Sequence, residues 1–317
     1  MVSGVPDMTT QGVSIVVPTY NEEKLLPLCL DSIKKLDYPA EFVEVIVVDN
    51  GSTDTTRSLA EAAGAKVLRN DHLGVAGLRN LGAKQAAFEI LAFIDADCLV
   101  ENDLLKKASI YFEADDIAAW GAPPAIPEQA SWVQKTWYLV RKKEKPVQEV
   151  EWLESMNLFV RKREFMAVGG FSESLVTCED VDFSYRIRTV GRIISDSDLK
   201  VVHLGEARTL REFVKKEIWR GKSNLTGVFK HGLSLKELPS LAVPLYFGIL
   251  LPIVVLFTIL IPNSLWTGAS LLLILLPSVA VLFKMRKKLP ARSLVTLLRL
   301  LFLVHIYFFA RTIAVIK

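Results

Sequence analysis

The sequence predicts an α/β domain, a mostly parallel sheet flanked by helices, followed by an apolar helical hairpin and a third apolar helix. Three observations carry that prediction. Short runs rich in Val and Ile alternate with helix-spaced segments between residues 13 and 100. Each run is closed by a polar cluster, as expected where strands leave a sheet. From Leu238 to Lys317 there are eight Lys or Arg and no Asp or Glu, and long apolar stretches dominate.

Residues 1–12 contain neither Lys nor Arg and no long apolar run, so they form a tail and not a secretory signal. The first strand, Val13–Val17, ends at Pro18-Thr19-Tyr20-Asn21-Glu22. Leu25, Leu26, Leu28, Leu30 and Ile33 then space a helix over Glu22–Lys35. Val43–Val48 is the second strand, closed by Asp49-Asn50-Gly51-Ser52-Thr53-Asp54, and Asp54–Ala63 is the second helix. Lys66-Val67-Leu68 is a further short strand. A third helix, Leu78–Ala87, leads into the strand Ile90–Ile94 and to Asp95-Ala96-Asp97. Alternate residues of an extended chain point the same way, so these two carboxylates can converge. The alternative is a strand end that caps the next helix. Glu179-Asp180-Val181-Asp182 opens a helix to about Arg188, with Thr177 as its cap and acid favoured in its first turn by the helix dipole.

The tail begins near residue 233, after a domain spanning 13–232. Leu238–Pro262 and Leu265–Phe283 are each long enough to cross about 30 Å of hydrocarbon. Only Pro262-Asn263-Ser264 separates them, which requires a tight hairpin. Lys284, Arg286, Lys287, Lys288 and Arg292 follow the second span, while the hairpin loop is uncharged. The positive-inside bias places both flanks, and the domain before them, in the cytoplasm of a multi-pass protein of the inner or plasma membrane. Leu294–Ile316 is interrupted by Arg299, His305 and Arg311. A charge at a helix centre costs roughly 3 kcal/mol. This segment either crosses with its polar groups against protein or lies in the interface.

Of the 38 basic residues, eight fall in the tail, which leaves 30 against all 35 acidic residues in 1–237. An acidic domain without a basic, aromatic-interleaved stripe argues against nucleic acid as a partner. Cys29, Cys98 and Cys178 share no metal-ligand spacing and fit buried thiols of a reducing compartment. Dinucleotide-binding domains follow the first strand with a glycine-rich turn, and a nucleotidyltransferase is expected to have one there as well. Pro18 to Glu22 has no glycine, which excludes both.

The order and spacing of these motifs, across roughly residues 13–230, resemble glycosyltransferase family two, whose catalytic domain has the GT-A fold. The resemblance implies that Pro18, Thr19 and Tyr20 line a base pocket, that Glu22 lies near the ribose and that Asp49 accepts the imino hydrogen of the base. The other reading of Asp49 is a turn residue before Gly51. Gly74-Val75-Ala76-Gly77-Leu78-Arg79-Asn80-Leu81-Gly82 is similar to the family's arginine-asparagine helix start. Arg79 would then face the nucleotide, or else be a solvated helix residue. Asp95 and Asp97 would hold a divalent cation, Mg²⁺ or Mn²⁺, that neutralises a departing diphosphate, with Asp95 partly occupied with ribose. His203 is either the third ligand or a satisfied structural histidine. Asp180 is implied as general base for an acceptor hydroxyl, with inversion, and Glu179 and Asp182 as supports. Gly169-Gly170-Phe171-Ser172-Glu173 resembles a glycine loop whose bare backbone admits substrate, and Asn157 resembles a position near the donor sugar.

One departure bears on the product. Processive synthases of the family carry Q-x-x-R-W, whereas Lys215–Lys222 lacks Gln and has Trp219 before Arg220. Trp219 and Arg220 either bind diphosphate or belong to an amphipathic membrane connector. The expectation is a membrane-anchored transferase adding one sugar from a nucleotide-sugar donor, a UDP-sugar, to a lipid-linked or membrane-associated acceptor in exopolysaccharide or glycolipid assembly. A processive polysaccharide synthase and a catalytically inactive membrane scaffold are the competing readings. A scaffold would be expected to have lost Asp97 or Asp180.

Overall fold

The computed structural model describes residues 10–222, 238–261, 264–285 and 294–316. Residues 223–232, the hairpin residues Pro262 and Asn263, and the basic residues Arg286, Lys287, Lys288 and Arg292 lie outside them, as do residues 1–9 of the tail. The chain forms two compact units. The first comprises Met1–Ala125, Lys145–Ser174 and Glu179–Gly205; the second comprises Ile126–Glu144, Leu175–Cys178 and Glu206–Lys317.

The first unit is built on an eight-stranded sheet. Its parallel half is β1 (Val13–Thr19), β2 (Val43–Asp49), β3 (Lys66–Arg69) and β4 (Ile90–Ile94), in the order β3-β2-β1-β4. β5 (Cys98–Val100) leaves this sheet and pairs with β10 (Val201–His203) in a separate antiparallel ribbon. The mixed half continues from β4 as β8 (Asn157–Arg161), β6 (Ile117–Gly121), β9 (Arg192–Asp196) and β7 (Val147–Glu149). β8 is antiparallel to both neighbours, β9 runs parallel to β6, and β7 closes the edge antiparallel.

Strand parity explains why the central runs are apolar without alternation. Val13, Ile15, Val17, Ile90, Ala92 and Ile94 enter one core, while Val16, Leu91 and Phe93 enter the other. A sheet covered on both faces demands apolar residues at every position. α1 (Leu26–Lys34) and α2 (Thr56–Ala62) pack on the first face, and α3 (Val75–Gln85) on the second. Short helices α4 (Leu104–Ala108) and α6 (Lys162–Ala167) lie between strands.

Two boundaries differ from the sequence reading. α1 starts at Leu26 and not Glu22, because Asn21 takes φ +52° and its side chain accepts the Thr53 N–H at 2.9 Å. α3 starts at Val75, three residues early, from the extended Gly74. Registration matters more for the site. Thr19 pairs with Asp49, and Val16 with Phe93, so β1, β2 and β4 end at one edge of the sheet.

The second unit is helical. α5 (Trp132–Arg141) opens with a Ser131–Gln134 capping box, and α8 (Leu210–Arg220) is capped by Thr209. Helices Leu238–Leu245 and Leu251–Leu260 are joined by a π-helical turn, Tyr246–Leu250, and are followed by Ser264–Met285 and Leu294–Ile316. Among the described residues, Ala242–Leu260 and Leu294–Val315 are long and apolar enough to cross a membrane, and Trp266–Pro277 is a shorter apolar run.

Candidate active site

The loops after β1 and β2 are laced together. Thr19 is buried, Tyr20 is exposed, and the Glu22 N–H donates to the Thr56 hydroxyl at 2.7 Å. Asp49 is buried and accepts the Ser52 N–H on both oxygens, at 3.2 and 3.1 Å. With Gly51 at φ +73°, this is the turn geometry anticipated as the second reading of Asp49. Pro18 precedes Thr19 at the strand end, so Pro18, Thr19 and Tyr20 share one edge with Asp49.

A second corner forms where β5 meets β10. Their pairing sets His203 opposite Cys98, and the Leu204 N–H donates to the Asp97 carbonyl at 2.9 Å. His203 Nε2 consequently stands 3.0 Å from Asp97 Oδ2. The ligand atoms of Asp97, Cys98 and His203 all lie within 4.8 Å of one another. Burial first, and then the Asp95 and Asp97 carboxylates, push the Cys98 thiol well above its ordinary range. A protonated thiol is a poor ligand, so Asp97 and His203 are the better donors. Gly205 completes the corner: a Cβ there would lie 1.9 Å from Asp97 Oδ2 and 3.1 Å from His203 Nε2. A carboxylate and an imidazole brought together, with the carboxylate seated in the space that the bare Gly205 leaves it, fit a divalent cation.

Asp95 turns the other way. Arg79, only 3% exposed, donates from Nη2 to Asp95 Oδ1 at 2.7 Å and from Nη1 to Glu179 Oε1 at 2.8 Å. The guanidinium also sits 5.6 Å from the Phe171 ring centroid. Arg79 is therefore a buried clamp between two carboxylates, and not the solvated helix residue of the bland reading. It ties the end of β4 to α7 (Glu179–Ile187).

Next to the clamp, burial above all, then the Glu179 and Glu154 charges, push the Asp180 carboxyl up to about 7. Asp182 is buried and takes Nε and Nη2 of Arg186, one turn on, at 2.9 and 2.6 Å. Gly170 has φ +65°, and the space its Cβ would need is filled by Asn80 Oδ1 at 2.6 Å and the Phe165 ring. The bareness expected to admit substrate admits Asn80 instead. Asn80 accepts the Phe171 N–H at 2.8 Å and donates to the Phe171 carbonyl at 2.9 Å. Asn157 is fully buried, with its amide donating to the carbonyls of Ala122 and Leu199 at 3.1 and 2.7 Å. In the second unit Trp219 is exposed, and Arg220 pairs with Glu217 at 2.8 Å and Glu206 at 3.2 Å. Thr177, expected to cap α7, donates its hydroxyl to the Arg220 carbonyl at 3.2 Å.

Sequence reasoning missed Gly205, Glu154 and the role of Asn80. A glycine two residues after a candidate ligand was the available signal for Gly205. Glu154 lies in no motif, and nothing in the sequence ties it to Asp180.

Residues 14–162 match the family described as glycosyl transferase family 2. Glycosyltransferase AglE of Haloferax volcanii is 27% identical over 248 residues, covering 75% of this chain and 81% of that protein. The poly(ribitol-phosphate) beta-N-acetylglucosaminyltransferase TarS of Staphylococcus aureus is 36% identical over 106 residues, covering 32% of this chain but only 18% of TarS. Among solved structures, mannosyltransferase PcManGT from Pyrobaculum calidifontis, in complex with GDP-Man and Mn²⁺, aligns with a TM-score of 0.63 and 19% identity. That alignment covers 98% of this chain and 89% of the neighbour, and it establishes the shared fold.

Proposed function

We propose that the protein, whose residues 14–162 match the family described as glycosyl transferase family 2, is a membrane-anchored, inverting glycosyltransferase. It moves one sugar from a nucleotide diphosphate sugar to a lipid-linked or otherwise membrane-associated acceptor, as in glycolipid or exopolysaccharide assembly. The observation that carries this reading is the Arg79 clamp. One buried guanidinium fixes Asp95 at 2.7 Å and Glu179 at 2.8 Å, which joins the donor-side carboxylates to the helix of the candidate base.

Pro18, Thr19, Tyr20, Glu22 and Asp49 are the residues we assign to the nucleotide. Asp97 and His203, with Asp95 beside them, would hold a divalent cation, Mg²⁺ or Mn²⁺, and when bound it supplies positive charge to the leaving diphosphate. Asp180 accepts the proton of the acceptor hydroxyl as that oxygen attacks the anomeric carbon from the side opposite the diphosphate, which inverts the centre. A carboxyl raised to about 7 is matched to that task near neutral pH. Glu179, locked to Arg79, orients the first turn of α7, and Asp182 secures the same helix through Arg186. Single addition is favoured over a processive synthase because Arg220 is already held by Glu206 and Glu217.

Calorimetric titration of the detergent-purified protein with UDP, GDP and dTDP, each with and without Mn²⁺, tests the reading. UDP is the expected nucleotide, and GDP, the nucleotide part of the GDP-Man in the fold neighbour, is the second to try. Metal-dependent binding of one nucleotide, lost in Asp97→Ala, is the expected result. No binding by well-folded protein would leave a membrane scaffold as the better account.

A further inference from the structure

Within the second unit, the C-terminal helix Leu294–Ile316 is flanked along one side by α5 and α8. Arg299 lies 5.6 Å from the Trp132 ring centroid, and Leu303 packs with Val133 and Phe213. The Tyr307 and Trp137 rings are 5.0 Å apart, and Arg311 pairs with Glu217 at 3.1 Å. A Cβ on Gly221 would lie 2.5 Å from the Ala314 Cβ. These contacts extend from residue 299 to 314, about 22 Å of helix at 1.5 Å per residue.

α8 cannot follow that helix into hydrocarbon. Its outer side carries Arg211, Lys215 and Trp219, exposed and each four residues from the next, so they form one stripe, and the exposed Arg208 and Lys222 flank its two ends. The two acids of α8 leave this side net positive, since only the exposed Glu212 stands among its cations. Glu217 is buried against Arg220 and Arg311, and Glu212 is engaged with the backbone N–H of Arg208. Drawing α8 inward would desolvate four cations together.

The apolar neighbours lead to the same conclusion. Leu300, Val304 and Phe308 pack on Val243, Tyr246 and Phe247, in the first half of the segment 238–260, on Leu251 at its middle, and on Val281, late in 264–285. The contacts are thus weighted toward the two ends of a hairpin that lie on one side of a bilayer. A third crossing helix would also meet its far ends. Leu294, Leu298, Phe302 and Phe309 remain exposed and share one face.

We propose that Leu294–Ile316 does not cross the membrane but lies in its interface beneath α8, with that apolar face toward the lipid. The inference rests on the membrane-anchored reading, and it leaves the C-terminus on the same side as α8. The test places nitroxide labels, one at a time, on Leu298→Cys, Phe302→Cys and Phe309→Cys of the full chain in phosphatidylcholine–phosphatidylglycerol vesicles. The unsubstituted protein gives the background, and a melt checks each variant. Relaxation by oxygen against a nickel chelate reports depth. Equal depths at all three positions are expected. A spanning helix would separate Leu298 from Phe309 by about 16 Å of depth, at 1.5 Å per residue, and would overturn the proposal. Recovery of the protein in the soluble fraction would remove the anchor itself, a different failure.

Discussion

Two arginines, one in each unit, join pairs of carboxylates, Arg79 buried and Arg220 half-buried, and their surroundings differ. Arg220 bridges Glu206 and Glu217, and the charges around it close: Arg141 also reaches Glu206 and Arg311 reaches Glu217. Three guanidinium groups meet two carboxylates there. Arg79 bridges Asp95 and Glu179, but Asp180 and Glu154 add charge beside them, and Asp97 has His203 as its near partner. Carboxylates crowd that corner. Buried pairs as such say little about function, because well-packed apolar residues often replace them without loss. The crowding of acids is the informative part, since clustered carboxylates with a raised pKa mark places where a cation or a proton comes and goes.

The largest test of that contrast is Asp180→Asn. Loss of a general base should lower the transfer rate by about 10²–10⁴-fold, while nucleotide titration stays nearly unchanged; wild-type turnover would sink the assignment. Second come Arg79→Leu and Arg220→Leu. Removing one partner of a buried pair should destabilise each by about 3–5 kcal/mol, measured by denaturant melts. Mn²⁺ should restore part of the loss only in the Arg79 variant, and equal responses would break the comparison. Gly205→Ala should weaken Mn²⁺ affinity about tenfold, or roughly 1.4 kcal/mol, because its Cβ would sit 1.9 Å from Asp97 Oδ2. An unchanged affinity would separate Gly205 from the cation.

The smallest effect is in pH dependence. With Asp180 raised to about 7, the rate should climb up to about tenfold per unit below pH 7 and then level off. The sign for stability is opposite. A carboxyl raised in the folded state favours folding while protonated, so its contribution is lost as pH rises from the ordinary carboxylate range through about 7. Asp180→Asn should flatten both curves, and a wild-type stability that rises over that window would contradict the shift.

The parallel half of the sheet was legible because each strand is an apolar run that ends in a polar cluster. Thr19, Asp49 and Asp95 were found for that reason alone. The acidic helix was legible from Glu179 to Asp182. What the sequence could not disclose was direction. Arg79 and Asp182 belong to polar motifs, yet both are buried, and burial depends on partners 100 and four residues away. Asn157 looked like a sugar contact and is a staple between strands, since a lone polar residue at a strand start carries no sign of which carbonyls it will meet. Arg161 was passed over, yet in the core of the sheet it donates to the carbonyls of Phe112, Ile117 and Ala114 at 3.1, 2.7 and 2.6 Å. Periodicity reports faces, and these roles are set by contacts made after the faces have closed.

Asn80 has a consequence for how such a domain can be recombined. Its amide serves both backbone groups of Phe171, and its oxygen occupies the space that a side chain on Gly170 would take. The helix that follows β3 and the loop that precedes the acidic motif are thus one inheritable module, although about 90 residues separate them in the chain. A chimera that imports residues 169–173 from a relative must import position 80 with them, because either half alone leaves an unpaired amide or a collision.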